Sequence, residues 1–195
     1  MSFASSGGLT SHDQLPDVGS LVTPHTANDI PSVIETVSNT VVGTSVQRLA
    51  VTGLDLASDY LYICSGCLIN RNGGATDLSI YLGTTGSIDE TATNYYLQRF
   101  IANNATVAGA RVNSAVIRNI ANAEKMAFKF YLRKDEAGYP VILGEGTAAL
   151  GTSLTLNNFA IHHTSASNVQ ELELYMSGAD GIGNGSELTV FKLSK

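Results

Sequence analysis

From residue 45 to its end, the chain alternates apolar and polar positions at period two, the pattern of strands with one buried face. The cleanest run is residues 125–133. Met126, Phe128, Phe130 and Leu132 share one face, while Lys125, Lys129 and Arg133 share the other, with Ala127 and Tyr131 between them. Asp135-Glu-Ala-Gly138 then turns the chain into a strand over residues 139–144, with Pro140 near the strand start, where its missing N–H is tolerated. Further strands are predicted over residues 46–54, 60–70 (ended by Asn72-Gly-Gly), 77–82, 95–101 and 154–163. Residues 111–120 fit either a strand or a short helical turn.

The last twenty-five residues carry two alternating runs around a glycine-rich connection. Gln170, Leu172, Leu174 and Met176 share one face; Glu171, Glu173 and Tyr175 share the other. Gly178, Gly181, Gly183 and Gly185 allow positive φ between the runs, so a long closing antiparallel hairpin is predicted. About nine short strands with regular turn signals and no βαβ alternation predict an all-β antiparallel sandwich or barrel.

Residues 1–44 read differently. Three of the four prolines, Pro16, Pro24 and Pro31, fall there, and no periodicity persists. Asp13-Gln-Leu-Pro-Asp-Val18 resembles Asn28-Asp-Ile-Pro-Ser-Val33. Residues before proline are driven into extended conformations, so each copy is an extended segment with an apolar pair: Leu15 with Val18, and Ile30 with Val33. Such a segment does not offset its ordering entropy alone, and a partner surface or neighbouring subunits are expected to hold it. Residues 33–42 suit a short helix, as a linker, or a strand. The expected organisation is an N-terminal arm over 1–44 and a β domain over 45–195.

Composition narrows the partners. The 195 residues carry a formal charge of −6, with only 14% charged residues, 19 glycines and no tryptophan. An acidic chain lacks the basic face of a nucleic-acid binder or a polybasic membrane-docking surface. No apolar run is long enough to span a bilayer, so no membrane insertion is expected. Met1-Ser-Phe-Ala-Ser-Ser-Gly-Gly has neither a basic start nor an apolar core, so no signal peptide is expected, and synthesis in a cytoplasm is.

Candidate chemistry is sparse. Cys64 and Cys67 form a C-x-x-C inside a strand-like run, where positions i and i+3 face opposite sides. A redox pair needs a helix N-terminus and a zinc site needs two more ligands, so two small reduced thiols are expected. Glu171 and Glu173 lie about 7 Å apart along one strand. Glycosidase carboxylates face each other across a cleft, so an exposed acidic face is expected instead. Gly181-Ile-Gly183-Asn-Gly185 and Gly144-Glu-Gly146 open no helix and are read as turns, and no Gly-x-Ser-x-Gly elbow occurs. His162 and His163 point to opposite faces; either, or His12 and His25, would bind metal only jointly with other subunits. Asp180, Asn184 and Glu187 lack the alternating oxygen ligands of an EF-hand. No enzyme constellation, metal site or cofactor is expected.

Several segments carry a family resemblance: Asp59-Tyr-Leu-Tyr62, Asp77-Leu-Ser-Ile-Tyr-Leu82, Asn94-Tyr-Tyr-Leu97, Gln170-Glu-Leu-Glu-Leu-Tyr-Met176, Gly183-Asn-Gly-Ser186 and Leu188-Thr-Val-Phe191. In this order they resemble the jelly-roll domain of tailed-bacteriophage virion proteins: capsid decoration proteins, head fibres and tail fibres. The likeness covers residues 45–193 and departs from the family at Val190-Phe191-Lys192, where Leu-Tyr-Gly is common. It implies a jelly-roll-like sandwich, a homotrimer, and an N-terminal arm that attaches to a major capsid or tail protein. Leu15, Pro16, Val18, Ile30, Pro31 and Val33 would then anchor it to the particle. A capsid decoration or head-fibre role is favoured, because the chain is short and has no long shaft. A tail fibre is the alternative, with a host surface glycan as its partner and the loop at 102–110 as its contact. A free carbohydrate-binding sandwich is a third reading. Tyr95, Tyr96, Phe100 and Tyr175 are the expected surface or subunit contacts, since amphipathic aromatics favour such sites.

Overall fold

A computed structural model describes residues 34–59, 61–104, 106–165 and 168–193. Contacts divide the chain into Met1–Ile30 and Pro31–Lys195, and every described residue belongs to the second unit. The anchoring residues Leu15, Pro16, Val18, Ile30, Pro31 and Val33 lie outside the described residues, as do His12 and His25.

Among the described residues are thirteen strands, and there is no α-helix. They are β1 (Ile34–Val41), β2 (Arg48–Thr52), β3 (Leu61–Ile69), β4 (Thr76–Thr84), β5 (Ser87–Asp89), β6 (Tyr95–Asn103) and β7 (Thr106–Asn113). The remainder are β8 (Val116–Ile120), β9 (Lys125–Lys134), β10 (Pro140–Leu150), β11 (Ser153–His163), β12 (Glu171–Met176) and β13 (Glu187–Leu193). The large sheet runs β1-β13-β3-β9-β10-β11-β6-β7; the small sheet runs β2-β12-β4-β5, with β8 also on β4. Every pairing is antiparallel. The protein is thus an all-β antiparallel sandwich.

The jelly-roll character lies in two crossings. The chain passes from β3 in the large sheet to β4 in the small one, and from β12 in the small sheet to β13 in the large one. β3 pairs with β13 and β4 with β12, so the two crossings run side by side at one end of the sandwich. The last two strands are therefore not the predicted hairpin; the glycine-rich connection changes sheets. Period-two alternation defines strands but not their partners, and this is where the pattern misleads. Gly185 does adopt φ +85°. Gly183 serves close approach instead, because a Cβ there would run into the Arg71 side chain. The corner is closed by polar groups. Fully buried Asn70 donates from Nδ2 to the Gly74 and Ile120 carbonyls at 2.9 and 2.8 Å and accepts the Asn72 N–H at 2.9 Å. Ser186 Oγ accepts the Ile69 N–H at 3.0 Å.

β1 resolves the ambiguity at residues 33–42 in favour of a strand. It pairs with β13 from Ile34↔Leu193 to Val41↔Glu187, so residues 34–41, expected in the arm, extend the large sheet. Residues 111–120, left open between strand and helix, are the end of β7 and all of β8.

The core lies between the sheets. β9 alternates as its sequence predicts: Met126, Phe128, Phe130 and Leu132 are buried, with exposed residues between them. Facing them from the small sheet are Leu78, Ile80, Leu82, Leu172 and Leu174, all buried. Fully burying each such side chain contributes about 1.5–3 kcal/mol. Among the charged groups taken inside, Arg118 Nη2 meets Glu124 Oε1 at 2.5 Å, and Glu124 Oε2 also accepts the Ala121 N–H at 2.8 Å.

Candidate interaction face

Two outer faces flank the sandwich, and they differ. The small sheet's outer face is a closed polar network. Glu173, on β12, receives Arg48 Nη1 at 2.5 Å, and the same nitrogen reaches Glu90 Oε1 at 2.8 Å. The Arg48 guanidinium lies 4.5 Å from the Tyr175 ring centroid. Burial pushes Glu173 up from its ordinary value, and the Arg48 charge pulls against that shift. Glu171 accepts the Gly86 N–H at 2.9 Å from the β4–β5 turn. The expected exposed acidic face is thus overturned: Glu171 and Glu173 are buried, because β12 is a central strand and the neighbouring turn and Arg48 cover its polar side.

On the outer face of the large sheet, apolar side chains stand in solvent. Antiparallel registers align Ala127, Thr147, Leu156, Ala102 and Val107 in one row across β9, β10, β11, β6 and β7. The adjacent row on these strands runs Lys129, Glu145, Asn158, Phe100 and Gly109. Phe100 is 57% exposed, Val107 64% and Leu156 48%; Leu143 and Leu154 are exposed too. Three open depressions mark the same face. One of about 320 Å³ lies among Lys129, Glu145, Thr147, Leu156 and Asn158. One of about 300 Å³ lies among Phe100, Leu143, Asn158 and Ala160. The largest, about 550 Å³, is lined by Tyr96, Gln98, Arg111, Val141, His162 and Thr164.

The local cause is a change in polarity pattern along an unbroken alternation. In β11, Phe159, Ile161 and His163 face the core, but Leu154 and Leu156 face out while Thr155 and Asn157 turn inward. No bulge intervenes, since the register with β10 and β6 is continuous. β6 alternates without a break as well: Tyr95 and Leu97 are buried, and Phe100 stands outside beside Leu156's row. On the inner side of β11, Asn157 Nδ2 reaches the Ile117 carbonyl at 3.2 Å and Oδ1 has no protein hydrogen-bond partner.

Of the four predicted contact aromatics, this face holds Tyr96 and Phe100. Tyr95 is a correction, being 0% exposed. Its hydroxyl accepts the Leu82 N–H at 2.9 Å and donates to the Asp89 carbonyl at 2.6 Å, and burial raises its pKa. Tyr95 and Tyr96 are neighbours on a strand, so only one can face out. Tyr175 lies half-buried on the opposite sheet beneath Arg48. Val107 lies in the segment 102–110 named as a possible contact, which is the end of β6 and the start of β7 rather than a loop, whereas Leu143, Leu154 and Leu156 went unnoticed in the sequence. The break in the apolar pattern between Leu156 and Phe159 is the signal that would have found Leu154 and Leu156.

Other candidates resolve more simply. Cys64 faces the core and Cys67 the outer side; both are free thiols, and burial raises both pKa values. His163 is buried with Nε2 3.0 Å from Asp89 Oδ2 and its ring centroid 4.5 Å from that of Tyr95. His162, on the other face, lies 3.2 Å from Asp135 Oδ2. Among the described residues, no three His, Cys, Asp or Glu side chains gather closely enough to hold a metal ion. No helix of the described residues is long and apolar enough to cross a membrane. No protein-family model matches the chain, and no curated protein matches its sequence.

Proposed function

We propose that this chain is a non-enzymatic bacteriophage virion structural protein. In this reading it is a homotrimeric appendage of a capsid decoration or head-fibre kind, assembled in the host cytoplasm and joined to a major capsid or tail protein by its N-terminal arm. The sandwich with its exposed apolar outer face is the observation that carries the reading: a surface of this kind is completed by association rather than by a substrate. The likeness of residues 45–193 to virion jelly rolls supplies the setting. A tail-fibre role has its own support in the depression at Tyr96, Gln98, Arg111 and His162, where an aromatic wall and planar hydrogen-bonding groups suit a host surface glycan.

The test uses particles. Antibody to the sandwich, gold-labelled on purified virions, should mark the head; label on the tail would favour the fibre reading, and absence of label would overturn the virion assignment. Removal of residues 1–33 leaves β1 intact and should abolish incorporation while the sandwich stays folded. Normal incorporation of that truncated protein would sink the anchoring role.

A further inference from the structure

We infer that copies of this chain associate through the part of the large sheet's outer face formed by β11, β6 and β7, centred on Phe100, Ala102, Val107, Leu154 and Leu156. The inference names the subunit contact that the trimeric reading requires, and to that extent rests on it.

Three observations carry the surface. The first is the polarity pattern of β11 and β6, whose regular alternation places Leu154, Leu156 and Phe100 outward and Thr155 and Asn157 inward over an unbroken register. A sequence gains nothing for a monomer by exposing three large apolar side chains while turning Thr155 and Asn157 inward. The second is the distribution of charge. Those five central residues are uncharged, whereas Lys129, Glu145 and Arg111 stand on neighbouring positions of the same face. An apolar centre with a charged rim is the anatomy of a protein–protein interface.

The third is the sheet edge. β7 pairs with β6 over its whole length without a register shift, and its other side has no strand neighbour. Its eight residues carry one charge, Arg111, and no proline. The remaining edges are blunted. β2, β5 and β8 have five, three and five residues, and β1 carries Glu35 and a register shift between Thr36 and Ser38. Natural edges are shortened, bulged or charged to prevent pairing. β7 is long and has no register shift, Arg111 is its single charge, and it borders the apolar centre.

Charge selects the occupant. Where equivalent patches converge on a shared three-fold axis, each lies near its own copies, so a patch with net charge would meet like charge. The chain as a whole carries −6, yet this patch carries neither sign, which suits a second copy and gives a strongly charged partner nothing to recognise.

The test is the mass of the full-length protein in solution by light scattering. Wild type should run at three times its 20.5 kDa subunit mass. Leu156→Lys should weaken association at least about 100-fold, as loss of a buried anchor does, and give the single-subunit mass. Val107→Lys, at a more exposed position, provides a second variant if the first fails to fold. Val41→Lys, exposed on the opposite edge of the sheet, should leave the assembly intact. A wild-type monomer at all concentrations overturns the inference, as does an assembly that survives both patch substitutions or is dissolved by Val41→Lys. An assembly that responds as stated but never enters particles keeps this contact and removes the virion reading. A protein found in virions yet monomeric in solution does the reverse.

Discussion

β9 and β11 lie one strand apart in the same sheet, with β10 between them, and solve the same problem differently. β9 keeps one phase for its full length, with four large apolar side chains inside and cations outside. β11 alternates just as regularly, but its inner side is apolar only from Phe159 onward. Before it, Leu154 and Leu156 point away from the core. Backbone geometry does not separate them, since both strands hold a continuous register with β10. The difference lies in which side of the sheet the sequence prepares for burial. β9 serves only the sandwich. β11 serves the sandwich at one end and, on our account, a neighbouring subunit at the other.

The comparison breaks most sharply in the core. Phe130 is fully buried on β9, and Phe130→Ala should cost about 3–5 kcal/mol of unfolding free energy, measured by urea denaturation. A cost within the range of surface substitutions would mean the sandwich does not pack as described.

A smaller effect is expected at one of the two histidines that close β11. Burial lowers the pKa of His163 from its ordinary value of 6.5, with Asp89 opposing that shift. The unfolded chain therefore takes up this proton before the folded one does. The neutral, buried His163 contributes its full share of stability above about pH 6.5, loses it as pH falls through the window below, and loses no more once the folded state is protonated as well. His163→Gln should flatten that window in a stability–pH profile. An unaltered profile would contradict the burial of a neutral His163.

The smallest change is expected at Leu156. Under conditions where the protein is monomeric, Leu156→Ala should alter unfolding free energy by no more than about 0.5 kcal/mol, the ordinary range for surface sites. A loss of several kcal/mol would place Leu156 in the core and remove the contrast with Phe130.

Much of the fold was legible in alternation. Residues 125–133 indicated both the strand and its inward face, and Asp135–Gly138 indicated the turn. Pairing was less legible. The final two runs read as a hairpin because they adjoin in sequence, whereas β12 and β13 occupy different sheets. Polarity misled at Glu171 and Glu173, where the partners that cover them, Gly86 and Arg48, come from distant segments. At the candidate face, Tyr96 and Phe100 were visible as aromatics. Leu154 and Leu156 were not, because their orientation depends on which neighbours cover each side of the sheet.

Amide hydrogen exchange of the assembled protein, compared with Leu156→Lys, tests the central claim most directly. The account predicts that amides of β7 and of residues 153–158 are protected in the wild type and exchange rapidly in the variant, while β9 is protected equally in both. Identical exchange in β7 and β11 for the two proteins would contradict it.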